Sequence, residues 1–255
     1  MTAPRLVAFD LDDTLAPSKS PIDARMGALL VALAERVEVA IISGGQLQQF
    51  QMQVVERLPE GTDTGLLDRF HLMPTCGTQY YRLNADGAQT VYAHALTDDE
   101  KQRALTAVEE EARRLDLWEA QTWGPILEDR GSQITFSALG QAAPVAAKTA
   151  WDPTGAKKNA LRDAVAARIP DLEVRSGGST SVDITRQGID KAYGMRQLAD
   201  QTGIALDDML FVGDRLDEHG NDYPVLAMGV TCHAVEGWED TAGYLDALIP
   251  TLPTR

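Results

Sequence analysis

"VAFDLDDTLAP" runs from Val7 to Pro17 and decides how the rest of the chain is read. An apolar run beginning at Leu6 reaches Asp10, passes Leu11, and adds Asp12, Asp13 and Thr14. A short apolar run of this kind predicts a strand over Leu6–Leu11, covered on both faces as in a parallel sheet. The aspartates at its end repel one another, and burying them without a partner is costly. Positive charge must therefore lie nearby, from a metal ion, a basic side chain or both.

Working outward, Arg25–Arg36 carries helical spacing, and Val37–Ile42 is a second buried strand closed by Ser43, Gly44 and Gly45. A further helix is expected around Gln46–Arg57. Strand–helix–strand order predicts a parallel sheet with right-handed crossovers. The pattern changes after about Leu83. "TDDE" at Thr97–Glu100 is a capping box, opening a helix whose stripe includes Leu105, Val108, Ala112 and Leu115. "QITFSALG" then alternates, with Gln133, Thr135 and Ser137 on one face and Ile134, Phe136 and Ala138 on the other. "SVDIT" at Ser181–Thr185 alternates too, as expected of half-exposed strands in an antiparallel sheet backed by helices. Ala156–Arg168 reads as a helix, and Ala142–Gly155 as a loop. From about Gly188 the parallel grammar returns, with a helix from Lys191 to Gln201 and the apolar strand "MLFVGD". The expected class is α/β: a Rossmann-like parallel-sheet core over residues 1–83 and 188–255. Into it is inserted an α+β cap, an antiparallel sheet plus helices, over 84–187. Hinges near Leu83 and Gln187 would let the cap close.

The formal net charge is −15, from 23 basic and 38 acidic residues. That balance argues against nucleic acid and anionic membranes, which need a basic footprint. It allows a small anionic substrate, because a metal ion and a few lysines reverse the field locally. Cys76 and Cys232 match no metal or redox spacing and are expected to be reduced thiols. No apolar run reaches membrane-spanning length, and no signal segment is evident. A cytoplasmic protein is expected.

Four features fall at strand ends of the core, where open parallel sheets bind ligands. They are Asp10 with Asp12, then Ser43, then Lys191, then Asp214 with the loop "GDRLDEHGND" that ends in Asn221 and Asp222. Asp10 and Asp12 are two apart and can point the same way. Mg²⁺, a hard cation that takes oxygen ligands, would reconcile Asp10 with Asp214, and Lys191 would add a second positive charge. Asp13, Asp217 and Glu218 read as solvated loop acids. His219 reads as a loop residue, since no second His or Cys stands at a zinc-type spacing.

These residues resemble the four motifs of the haloacid dehalogenase (HAD) superfamily: "DLDDT", a serine after a buried strand, a lysine opening a helix, and "GD…ND". The finer likeness is to subfamily IIB and its phosphomannomutase-like branch, whose cap sits between the second and third motifs. "FDLDDTLAPSK", "EDRGSQITFSALGQ", "GGSTSVDITRQGIDK" and "GDRLDEHGND" carry it. The resemblance implies Asp10 as nucleophile, forming an aspartyl phosphate. It implies Asp12 as acid and then base, also lending its backbone carbonyl to Mg²⁺. Ser43 and Gly44 would contact the phosphoryl group, Lys191 would neutralise it, and Asp214 would bind Mg²⁺. Asn221 and Asp222 would hold the lysine and the waters of the metal. Lys19 stands where mutases carry a phosphate-contacting arginine. In the cap, Arg130, Gln141, Ser181 and Asp183 would meet the substrate.

Mutases of this type hold a second phosphate with several cap arginines. Here Gln141 and Trp123 stand where arginines are expected. A charge-assisted hydrogen bond contributes about 1.5–3 kcal/mol, so two losses weaken that grip by roughly 3–6 kcal/mol, or about two to four decades. The expectation is a Mg²⁺-dependent phosphatase of small phosphorylated metabolites such as sugar phosphates. A phosphohexomutase using a bisphosphate intermediate is the alternative, and a non-catalytic phosphosugar-binding protein the third reading. Pairing into a homodimer through the caps is also implied by the resemblance.

Overall fold

An apolar run four residues long needs cover on both faces, and Leu6–Phe9 (β1) receives it: all four side chains are buried. In this computed structural model, which describes residues 3–254, β1 is followed by β2 (Glu38–Ile42), β3 (Phe70–Met73), β4 (Gln79–Asn84) and β5 (Gly87–Ala93). Then come β6 (Leu127–Asp129), β7 (Ile134–Ser137), β8 (Leu172–Ser176) and β9 (Ser181–Arg186), and finally β10 (Met209–Gly213) and β11 (Thr231–Ala234). Among the described residues two sheets form, ordered β11-β10-β1-β2-β3-β4-β5 and β6-β7-β9-β8. The chain divides into two compact units, one running to Ala93 and resuming at Ile189, the other His94–Gly188.

In the first unit β11, β10, β1, β2 and β3 are mutually parallel, and β4 and β5 add an antiparallel edge. Val7 and Phe9 pack with Met26, Leu30 and Leu245 from helices Ala24–Ala34 and Trp238–Leu248. Leu6 and Ala8 face the other way, onto Met195 and Leu198 of helix Lys191–Thr202. Helices thus cover both faces, as a parallel sheet requires. After β1 the chain crosses to β2 on one side, and β10 lies on the other. The carboxyl ends of these three strands therefore border the crevice where such sheets hold ligands.

The expected boundary at Leu83 moves to Ala93. Gly87–Ala93 pairs antiparallel with β4 and belongs to the core sheet, and its mostly exposed side chains hid it from a search for buried runs. The expected helix 46–57 ends at Gln53 and gives way to a 3₁₀ turn at Val55–Arg57.

In the second unit, Thr97 and Glu100 close the capping box that starts helix Asp98–Arg114. Ile134, Phe136, Val182 and Ile184 pack against Val108, Ala112, Leu161 and Val165, the last two from helix Ala156–Arg168. The opposite face was expected to be half-exposed, yet Gln133, Thr135 and Ser137 are 2% exposed or less. The segment expected as a loop holds a helix, Val145–Trp151, with Pro144 at its N-cap. No helix among the described residues is long and apolar enough to cross a membrane.

Candidate active site

β1 stops at Phe9, but the Asp10 N–H still donates to Val212 O at 3.0 Å. That bond extends the ladder one residue and pins the Asp10 carboxylate, 4% exposed, at the sheet's edge. Lys191 is the first residue of its helix, whose N-cap, Asp190, accepts the Tyr193 N–H at 2.8 Å. Its Nζ lies 2.6 Å from Asp10 Oδ1 and 2.5 Å from Asp222 Oδ1. Asp222 closes the loop after β10, its Oδ2 accepting the Arg215 N–H at 3.1 Å. Asp214, at the tip of β10, accepts the Thr14 hydroxyl at 3.1 Å.

Asp10, Asp214 and Asp222 each offer an oxygen, all within 4.8 Å of one another. Burial pushes the Asp10 carboxyl up to about 7, with Lys191 pulling it down and Asp222 pushing further up. Burial also raises Asp214, and the charge of Asp222 adds to it. Burial acts to lower Lys191, but its two carboxylate neighbours prevail and hold it above its ordinary value. The lysine is therefore a fixed cation, and one ammonium does not balance three carboxylates. Hard oxygen donors with two negative charges in excess suit a divalent cation such as Mg²⁺.

Asp10, Asp214 and Lys191 therefore converge; Asp222 holds the lysine as expected, and its carboxylate also lies with those of Asp10 and Asp214 rather than behind them. Asn221, beside it, is exposed. The Asp12 side chain is not one of the three clustered carboxylates and accepts the Lys19 N–H at 2.6 Å. Asp13 and Lys19 both have left-handed φ, 61° and 56°, so residues 12–19 form a tight loop, with Lys19 exposed. Ser43 is 5% exposed, and its Oγ accepts the Gly45 N–H at 3.2 Å. Gly44 has open space where a Cβ would stand. Asp217 is exposed and pairs with Arg215, and Glu218 and His219 are exposed loop residues, as read from the sequence.

In the second unit the register sets Thr135 opposite Asp183 and Ser137 opposite Ser181. Asp183 Oδ1 accepts Gln133 Nε2 at 2.9 Å and the Thr135 hydroxyl at 2.7 Å. The Ser137 hydroxyl is buried without a hydrogen-bond partner. Arg130, its side chain 7% exposed, pairs with Glu128 at 2.7 Å. The Gln141 carbonyl accepts the ammonium of Lys148 at 2.9 Å. Trp123 is 47% exposed and its backbone bonds to Leu139 and Ala142.

Sequence reading missed Thr14 as the partner of Asp214, although it closes the first motif. It also missed two cations of the second unit. Arg175 lies directly opposite Asp183, and Lys148 is buried in the helix taken for a loop. Alternation in "LEVRS" could have placed Arg175 on the polar face.

The family model for eukaryotic phosphomannomutase matches residues 26–251. A phosphomannomutase of Encephalitozoon cuniculi is 25% identical over 223 residues, covering 85% of this chain and 82% of that one. That of Saccharomyces cerevisiae is 24% identical over 251 residues, covering 95% and 93%. Among solved structures, Plasmodium falciparum IMP-nucleotidase superposes with a TM-score of 0.75 at 14% identity, over 97% of this chain and 68% of that one. A haloacid dehalogenase-like hydrolase from Bacteroides thetaiotaomicron gives 0.60 at 16%, over 96% and 99%. Family model and relatives agree, and the fold is that of haloacid dehalogenase-like structures: the chain belongs to the eukaryotic phosphomannomutase family.

Proposed function

We propose that the protein is a phosphohexomutase that moves a phosphoryl group between hydroxyls of a hexose phosphate by way of Asp10. The observation that carries phosphoryl transfer is Lys191 held between Asp10 and Asp222 with Asp214 beside them. The choice of mutase is supported by relatives named phosphomannomutase that match 85% or more of the chain.

In this reading Asp10 attacks phosphorus in line, forming an O–P bond as the bond to the sugar oxygen breaks. Asp12 delivers a proton to that leaving oxygen and takes one from the next acceptor hydroxyl. Lys191 neutralises charge on the transferring group, and the Ser43 hydroxyl donates to it. Asp10, Asp214 and Asp222, with the Asp12 carbonyl, would hold Mg²⁺, which would supply further charge neutralisation for the transferring group. Asp183, Ser181, Gln133 and Arg130 choose the sugar.

Hydrolysis is the second reading, and two observations favour it. Arg130 is already engaged by Glu128, and Gln141 is neutral, which weakens the case for a second phosphate. The deciding assay incubates the protein and Mg²⁺ with hexose monophosphates, with and without a hexose bisphosphate, following free phosphate and isomer together. Bisphosphate-dependent isomer supports the mutase. Phosphate without isomer supports the hydrolase, and turnover unchanged in Asp10→Asn overturns both.

A further inference from the structure

Between the strand carrying Ser43 and the helix carrying Lys191 lies a turn that no catalytic motif includes. Thr75, Cys76 and Gly77 hold left-handed φ values of 49°, 55° and 84° in succession. Side chains rarely adopt that conformation, β-branched ones least of all. The turn is clasped from within. Thr75 Oγ1 lies 2.6 Å from Thr78 Oγ1, which donates to Thr75 O at 2.9 Å, and both threonines are buried.

One side of the turn grips the Ser43 loop. The Cys76 N–H donates to Ser43 O at 2.9 Å, and the Thr75 N–H to Gly45 O at 3.0 Å. The other side rests on the lysine's helix. A Cβ on Gly77 would stand 2.6 Å from Gly194 Cα, and one on Gly194 would stand 3.0 Å from Cys76 O and 3.1 Å from Ile42 Cγ2. Gly194 lies three residues after Lys191, on the same helix face. Two glycines thus permit an approach that any side chain would widen.

We infer that Thr75, Gly77 and Gly194 are positioning residues that set the separation of Ser43 from Lys191, and with it the fit to a phosphoryl group in flight. The inference rests on the phosphoryl-transfer reading of this site. A strained turn locked between two rigid elements is a spacer of defined thickness, and transfer is sensitive to small displacements of its donors.

The test is calorimetric titration, with Mg²⁺ present, of orthovanadate as a mimic of the five-coordinate transition state and of inorganic phosphate as a tetrahedral ligand. The variants are Gly194→Ala, Thr75→Val and Thr75→Ser. Gly203→Ala is the control, since Gly203 has a left-handed φ of 66° and open surroundings at the far end of the same helix. Vanadate affinity is expected to fall about tenfold or more in Gly194→Ala and Thr75→Val, a misplacement effect, while phosphate affinity changes less than about threefold. Thr75→Ser keeps the clasp and stays near wild type, and Gly203→Ala lowers Tm alone. Parallel loss of both anions, or loss of neither, overturns the inference. So does a Thr75→Ser as impaired as Thr75→Val. If Thr75→Val does not fold, Gly194→Ala decides alone. A wild-type protein that binds neither anion refutes the phosphoryl-transfer reading itself, whereas wild-type binding with unaffected variants refutes only the positioning role.

Discussion

Lys191 and Asp222 meet at 2.5 Å with side chains 1% and 0% exposed, and the same ammonium reaches Asp10 at 2.6 Å. A buried charge left without its partner is strongly destabilising, typically by about 3–5 kcal/mol. Lys191→Met is therefore expected to lower unfolding free energy by about that much in the metal-free protein and to abolish turnover. Urea unfolding with and without Mg²⁺ checks it, and the deficit should shrink when Mg²⁺ is added.

Asp10→Asn has the opposite signature. It removes one of three crowded carboxylates while keeping shape, so the metal-free protein should unfold at the same temperature or higher. Turnover should vanish because the proposed nucleophile is gone, and the Tm gain on adding Mg²⁺ should shrink. Scanning calorimetry at neutral pH with and without Mg²⁺ reads both stability effects.

Thr14 donates its hydroxyl to Asp214 and is fully buried. Groups that orient a metal ligand typically contribute about 10–100-fold in metal affinity. Thr14→Val should weaken Mg²⁺ binding by about that factor, with a folded circular dichroism spectrum. A Mg²⁺ affinity within threefold of wild type would refute the assignment of Asp214 as a ligand.

Asp183 accepts from both Gln133 and Thr135. If this face recognises the sugar, Asp183→Ala should raise KM for a hexose phosphate about tenfold or more, the loss of a hydrogen bond to a charged group. Hydrolysis of p-nitrophenyl phosphate, which lacks the sugar, should be little changed. Equal effects on both substrates would argue against that role.

Glu100 provides a pH test away from the site. The Arg186 guanidinium and then the Thr97 N–H hold its carboxyl down at about 2. A group whose folded value lies below its ordinary 4.5 stabilises fully above that pH, and the contribution is lost as pH falls through about 2. Solvent screening limits it to about 1 kcal/mol or less. Glu100→Gln should therefore lower Tm at pH 6 and match wild type near pH 2.

Much of this was legible because buried strands and motif residues are local signals. Leu6–Phe9 and Met209–Gly213 announce themselves as unbroken apolar runs, and an aspartate follows each. Thr97 and Glu100 mark a helix start three residues apart. Gly87–Ala93 was misassigned because an edge strand exposes side chains that resemble those of any surface segment. Val145–Trp151 was misread because Pro144 and Pro153 flank it, and proline marks loops as strongly as it marks helix ends.

Local residue order determined the strand ends, the charge imbalance at Asp10 and the need for a compensating cation, since each follows from neighbours within a few positions. The family resemblance already implied that Asp222 would hold Lys191; only the tertiary structure decided that its carboxylate would also come within 4.8 Å of those of Asp10 and Asp214. It alone set Thr14 against Asp214, Arg175 beside Asp183, and Gly77 against Gly194. Such contacts depend on which strands lie side by side and on how closely two backbones can approach. Those are consequences of packing the whole chain, and no short stretch of residues encodes them.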